Sequence, residues 1–140
     1  MFKIALVEPN AKAPSRNSNL DAGHDLHSSE EVVIPARTRR LVSTGLKVQI
    51  PSDCYARVAP RSGLAVKSVD VGAGVVDSSY RGIVKVLVIN NKDEEFKVNI
   101  GDRIAQLILE RIYNDDFSIV SETELTDTTR GEGGFGSTGI

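Results

Sequence analysis

Leu46-Lys47-Val48-Gln49-Ile50-Pro51-Ser52-Asp53-Cys54-Tyr55-Ala56-Arg57-Val58-Ala59-Pro60 is the stretch that decides the fold class. Apolar side chains stand at 46, 48 and 50, with Lys47 and Gln49 between them. A Pro-Ser-Asp turn follows, and the alternation resumes at Cys54, Ala56 and Val58 until Pro60 stops it. Successive side chains of a strand point to opposite faces, so this period of two predicts strands with one buried face. The same period spreads outward. Phe2 to Val7 alternates before a Pro-, Ser- and Asn-rich loop from Pro9 to Asn19. Val84 to Ile89 is apolar apart from Lys85, which predicts a strand covered on both sides. A polar turn from Asn90 to Glu95 leads to Phe96, Val98 and Ile100, and Gly101-Asp102 reads as a tight turn. Ile104 to Ile112 suits a strand or a short helix, and one short helix is expected near Ser62 to Lys67. Many short strands at roughly ten-residue spacing predict an all-β sandwich or barrel.

The chain has 140 residues, which fits one domain. At that size it buries roughly two-thirds of its unfolded surface and needs no disulfide or metal staple. Trp is absent and aromatics are few, so the core must come from Val, Ile, Leu and Ala. Net charge is −2. The densest basic patch, Arg37-Thr38-Arg39-Arg40, reads as a solvated loop between two strands. A nucleic-acid groove would carry many more cations interleaved with aromatics, so no nucleic-acid polymer is expected as partner. No stretch approaches the roughly 20 apolar residues of a membrane span. Met1 to Val7 lacks the length and cleavage pattern of a secretory signal. The single Cys54 has no disulfide partner and reads as a small core residue, since nothing local would lower its pKa. These features predict a soluble intracellular protein, cytoplasmic or nuclear.

Five segments can carry chemistry. Asp21-Ala22-Gly23-His24-Asp25-Leu26 sets two carboxylates around a glycine, which by itself is ordinary turn chemistry. His24 and His27 stand three apart, on opposite faces of a strand, which disfavours a shared zinc. Pro60-Arg61-Ser62-Gly63-Leu64-Ala65 follows a strand and opens a helical turn; it is either a plain N-cap or an anion-binding start. Gly72-Ala73-Gly74-Val75-Val76-Asp77-Ser78-Ser79-Tyr80-Arg81-Gly82 places one Asp at a strand end before a turn. That Asp is either a turn former or a general base at a pocket edge. Gly101-Asp102-Arg103-Ile104-Ala105-Gln106-Leu107 holds an amide among aliphatics, to be satisfied by backbone or by a ligand. The last stretch, Thr126 to Ile140, is Gly-rich and nearly without aliphatics, so burial cannot order it. It reads as a frayed end, or as an arm whose Arg130, Phe135 and hydroxyls close over a bound anion.

In this order, over residues 21 to 139, the five segments resemble those of the homotrimeric dUTPase family. The resemblance implies a jelly-roll-like β-barrel over residues 1–125 and a flexible arm over 126–140 that closes over an active site. It implies three chains sharing three sites, and a dUTP diphosphatase that makes dUMP and pyrophosphate by Mg²⁺-assisted water attack on the α-phosphate. Such an enzyme limits uracil in DNA and supplies dUMP for dTMP synthesis. Asp77 would orient the water. Arg61, Ser62, Gly63 and Gln106 would hold phosphates. Gly74, Val75 and Val76 would contact the substrate, Tyr80 would lie against the deoxyribose, and the strand after it, including Lys85 through its backbone, would line a uracil slot. Arg130, Ser137 and Thr138 would hold the γ-phosphate, with Phe135 stacked over uracil and Gly136 also in contact with the substrate. Mg²⁺ would sit mainly on the triphosphate and water, with Asp25 anchoring it through water. Three positions depart from the family pattern: His24 for an aromatic, Ser79 for an acid and Ile83 for a polar residue. Two alternatives stand beside the enzyme: a dCTP deaminase on the same scaffold, and a regulatory binding protein.

Overall fold

The structure is a computed structural model and describes residues 1–137 and 139. Ten strands run in chain order: β1 (Lys3–Leu6), β2 (His24–His27), β3 (Val32–Ile34), β4 (Arg39–Gln49), β5 (Cys54–Ala59), β6 (Val69–Gly72), β7 (Val75–Val76), β8 (Val84–Asn90), β9 (Phe96–Val98) and β10 (Arg103–Arg111). One helical turn, α1 (Ser62–Ala65), follows β5, and a 3-10 turn spans Glu122–Glu124. The strands form a sheet ordered β1-β4-β8-β6, a second ordered β2-β10-β5-β7, and a ribbon of β3 with β9. This is the expected all-β, jelly-roll-like arrangement. The barrel does not close, because hydrogen bonding among the described residues stays within these three groups and does not run round the molecule.

Residues 46–58 now have a spatial meaning. Leu46 and Val48 end β4 in the first sheet, while Cys54, Ala56 and Val58 lie on β5 in the second. The Pro51 turn, closed by Cys54 N–H to Pro51 O at 2.9 Å, is the corner that carries the chain between sheets. The apolar sets of both strands are buried on the same core. Leu26, Ile34, Val42, Val84, Val86, Val88, Val98 and Ile104 complete it, and no aromatic side chain is fully buried. Each such aliphatic contributes about 1.5–3 kcal/mol on burial, so a branched-aliphatic core suffices here.

Four expectations are refined. Ile104 to Ile112 resolves to strand β10, not helix, because it is paired on both edges, by β2 and β5. On β8 only one face is core: Leu87 and Ile89 on the other are half-buried. The basic patch is loop only at Arg37 and Thr38, whereas Arg39 and Arg40 open β4, both exposed. The helix near Ser62 is a single turn, and Arg61 stands at its N-cap position without a side-chain cap bond. Strands β3 and β6 carry no clear alternation, since Val32-Val33-Ile34 is apolar throughout and Val69–Gly72 offers only four residues.

The polar turn after β8 has a buried organiser. Asn90 is fully buried, and its Nδ2 donates to the carbonyls of Ile34 (3.0 Å), Pro35 (3.2 Å) and Glu94 (2.9 Å). Its Oδ1 accepts the Lys92 N–H at 3.0 Å. A buried amide fully paired in this way ties β8 to β3 and the 91–95 turn. Cys54 is buried in the core, and burial with a neighbouring Asp53 pushes its thiol up, away from reactivity. No helix among the described residues is long and apolar enough to cross a membrane.

Candidate active site

The predicted site residues fall into three groups. The first lines a concavity of about 290 Å³ between β7, β8 and the end of β5. Gly74, Val75, Val76, Asp77, Tyr80 and Lys85 all lie on it, with Leu41, Val58 and Ile83 adding apolar wall. Its floor is set by Gly74, whose φ of +101° is left-handed and whose missing side chain would sit on the Val58 carbonyl. The close approach lets Val58 N–H donate to Gly74 O at 2.7 Å. Only glycine combines that φ with that contact. Val76 is buried and anchors β7, so Asp77 emerges at the strand end with its side chain exposed. Its carboxylate has no hydrogen-bond or ionic partner among the described residues, while its carbonyl accepts the Tyr80 N–H at 3.0 Å. The backbone is thus held in a turn and the carboxylate is left available, which is what a general base requires.

The second group surrounds Asp25 on β2. Arg61 Nε donates to Asp25 Oδ1 at 2.9 Å, and Arg103 Nη1 lies 3.8 Å from Asp25 Oδ2. The Asp25 and Arg61 side chains are only 24% and 26% exposed, so this pair is shielded more than a surface ion pair. Gln106 lies opposite Asp25 on β10, and its Nε2 donates to Pro60 O at 2.9 Å. Loop 60–63 is therefore tied down twice, through Gln106 and through Asp25. The N–H groups of Ser62 and Gly63 begin a helical turn and have no intrahelical acceptor. A side chain on Gly63 would meet open space, so the bare backbone there has no packing reason within this chain. It leaves room for a ligand to approach the N–H groups.

The chemistry at Asp25 bears on a metal. Among the described residues, no three His, Cys, Asp or Glu side chains cluster as a protein-only cation cage. Mg²⁺ commonly keeps several waters and takes one or two carboxylates plus substrate phosphates. Asp25, a carboxylate beside Arg61, Arg103 and the free N–H groups of Ser62 and Gly63, fits a contact of that kind through water, since a carboxylate offers about four acceptor positions. His27, two residues on, is 3% exposed, and its Nδ1 is the one buried side-chain polar atom without a partner among the described residues. Burial pushes its pKa down, with Lys12 adding to the effect.

The third group is the C-terminal arm. Arg130 Nε donates to Gly133 O at 2.6 Å, and Ser137 Oγ accepts the Gly134 N–H at 3.0 Å. Together with Thr129, Phe135 and Gly136 these residues line a concavity of their own, about 400 Å³. Phe135 is wholly exposed, with φ of +51°. Thr138 lies outside the described residues. Concavities of the slot, of the Arg61 side and of the arm share no lining residue.

Several participants escape a reading of the sequence. Gly23 looks like turn chemistry, yet a side chain there would strike Gln106, with Cβ 3.1 Å from Gln106 Cβ. Leu41 and Val58 come to the slot from distant strands, and no local signal marks them. Asp21 is turn chemistry, as read: its Oδ2 accepts the N–H groups of Asn17 and Ser18, both at 3.2 Å.

Comparison with known proteins concerns the chain as a whole. The family model described as dUTPase matches residues 9–139. The deoxyuridine 5'-triphosphate nucleotidohydrolase of Yarrowia lipolytica is 54% identical over 140 residues, covering 99% of this chain and 89% of its own. That of Arabidopsis thaliana is 50% identical over 140 residues, covering 99% and 83%, and that of Variola virus is 48% identical over 130 residues, covering 93% and 87%. Among solved structures, the Staphylococcus bacteriophage 80alpha dUTPase with dUPNHPP superposes with a TM-score of 0.93 at 27% identity, covering 100% of this chain and 99% of its own. A dUTPase from phage phi11 of S. aureus, described for its coordination of a structural Mg(II) ion, superposes at 0.84 with 25% identity, covering 89% and 99%. Family match, relatives and fold agree: the chain belongs to the dUTPase family.

Proposed function

We propose that this dUTPase converts dUTP to dUMP and pyrophosphate by attack of water on the α-phosphorus, with Asp77 as the residue that orients and deprotonates the water. The observation that carries this reading is the unpartnered Asp77 carboxylate at the rim of the slot that Tyr80 borders. In the slot, the backbone of residues 74–76 and Lys85 meets the polar edge of uracil. Cytosine would leave mismatched groups buried there, at about 1–3 kcal/mol each. The apolar walls crowd a thymine methyl. Tyr80 lies against the deoxyribose and leaves no room for a 2′-hydroxyl.

Triphosphate cleavage demands positioning and charge neutralisation more than covalent chemistry. Arg61 donates Nε to Asp25 and Nη1, at 3.5 Å, to Arg103 O, which leaves its Nη2 to meet phosphate oxygens, with the N–H groups of Ser62 and Gly63 beside it. Gln106 keeps that loop in place through Pro60 O and has a second amide hydrogen to offer. Mg²⁺, when bound through the substrate and Asp25's water, neutralises phosphate charge. Arg130, Gly136, Ser137 and Thr138 hold the γ-phosphate end, and Phe135 covers uracil.

The active form is a homotrimer with shared sites. Two features support this. The slot, a concavity beside Arg61 and Arg103, and the arm's concavity have no lining residue in common. The stretch after β10 also exposes Ile112, Tyr113, Phe117, Ile119 and Val120, a run of apolar side chains that a neighbouring chain would cover. The arm, 126–140, then closes over a site built with neighbouring chains. In the cell, the reaction limits uracil in DNA and provides dUMP for dTMP synthesis. The deciding experiment incubates the protein with each dNTP and Mg²⁺ and assays pyrophosphate. Release from dUTP alone is expected. No release from dUTP overturns the reading, and ammonia from dCTP would replace it with the deaminase.

A further inference from the structure

We propose that Gly82 is a specificity-determining residue: its missing side chain lets the Tyr80 ring lock against its own turn, and the locked ring is what rejects a ribose. The proposal deepens the dUTPase reading above and rests on it.

Gly82 does not owe its identity to backbone conformation. It is not among the glycines with left-handed φ, so an alanine could adopt its dihedral angles. The constraint is the ring. A Cβ built on Gly82 would lie 2.5 Å from Tyr80 Cζ and 2.8 Å from Tyr80 Cε1, and its three nearest heavy atoms all belong to Tyr80. Carbon atoms do not approach so closely, so the ring must move if any side chain is added.

One bond holds the ring itself, and others hold the turn that carries it. Tyr80 Oη donates to Ile83 O at 2.9 Å, spanning Gly82 like a strap. Tyr80 N–H donates to Asp77 O at 3.0 Å. Arg81 Nη1 donates to the carbonyls of Ser78 (2.8 Å) and Tyr80 (3.0 Å), closing the turn beneath. All these bonds stay within residues 77–83. Tyr80 is 44% exposed, so core packing does not hold it; the turn does.

Rigidity matters because the discrimination is steric. A pocket that merely crowds one extra hydroxyl rejects it by only about 10²-fold. A ring free to change rotamer would yield and forfeit most of that. A ring strapped to Ile83 O and seated on a bare Gly82 yields less readily, because moving it breaks the strap. Ile83 contributes its carbonyl to the strap and its side chain to the apolar wall of the slot, so an apolar residue suits that position.

The test measures kcat/KM for dUTP and for UTP in the full-length protein and in Gly82→Ala, Tyr80→Ala and the double variant. Gly82→Ala is expected to lower the dUTP-to-UTP ratio by about tenfold or more, chiefly by raising activity on UTP. Equal losses on both nucleotides, with the ratio unchanged, overturn the proposal, since a purely structural role would act that way. In the Tyr80→Ala background, Gly82→Ala should leave the ratio where it is, because the two positions act as one unit. A further, independent fall counts against it. If Gly82→Ala alone does not fold, the double variant should, the ring being the obstacle; failure of both to fold overturns the idea. Should the unmodified protein leave dUTP intact, the dUTPase reading fails instead. Ring-flip rates of Tyr80 by NMR then test the lock by itself, with faster motion expected in Gly82→Ala and unchanged motion refuting it.

Discussion

Two residues carry predictions of opposite kind. Asp77 is exposed and unpartnered, so removing its charge disturbs no contact. Asp77→Asn should keep the fold and nucleotide binding while turnover falls by about 10² to 10⁴-fold, as for loss of a general base. Single-turnover kinetics beside a binding isotherm check this, and full activity would remove Asp77 from its role. His27 is the reverse case, buried with Nδ1 unpartnered. An unsatisfied buried polar atom costs about 1–3 kcal/mol, whereas a ring of similar shape without it costs nothing of the kind. His27→Phe should therefore raise stability by about 1 kcal/mol, read from denaturant midpoints. A loss of stability would show that the imidazole is satisfied after all.

At the scale of elements, the slot depends on β7 lying tight against β5. The contact runs through Gly74, left-handed and against the Val58 carbonyl. Gly74→Ala combines a strained dihedral with a backbone collision, so a cost of about 2–3 kcal/mol is expected, together with loss of the slot. Thermal melts with uridine-nucleotide binding measure both, and a stable variant that still binds would refute the account. The arm behaves differently. Its bonds are internal, from Arg130 to Gly133 and from Gly134 to Ser137, and its concavity is lined by its own residues. Deleting 126–140 should leave the melting temperature unchanged and lower kcat/KM for dUTP by about 10²-fold or more, through lost positioning. Unchanged kinetics after truncation would end the closing-arm idea.

For the whole molecule, the expectation is a trimer whose sites are each completed by more than one chain. Sedimentation should give a mass near three times the 15.1 kDa chain. Complementation is the sharper check. Asp77→Asn chains lack the base but keep the arm, and chains cut at residue 125 lack the arm but keep Asp77. If one site takes its slot and its arm from different chains, mixed trimers refolded from these two inactive proteins should regain a substantial fraction of activity. Sites built within single chains would stay inactive on mixing.

The strand class, the aliphatic core and the candidate site segments could be read from the chain in one dimension. Period-two alternation at 46–50 and 54–58 needs only the geometry of a strand, and motif order needs only adjacency. What could not be read is everything that depends on distant segments meeting. The Pro51 corner puts β4 and β5 in different sheets. Ile104 to Ile112 becomes a strand because two partners flank it, a contest that local propensity leaves open. The pairing of Arg61 with Asp25, 36 positions apart, and the arrival of Leu41 at the slot follow from sheet order alone. Sequence settled which groups are present and how each strand faces; tertiary structure decided which of them touch, because contacts across sheets are set by packing and not by neighbours along the chain.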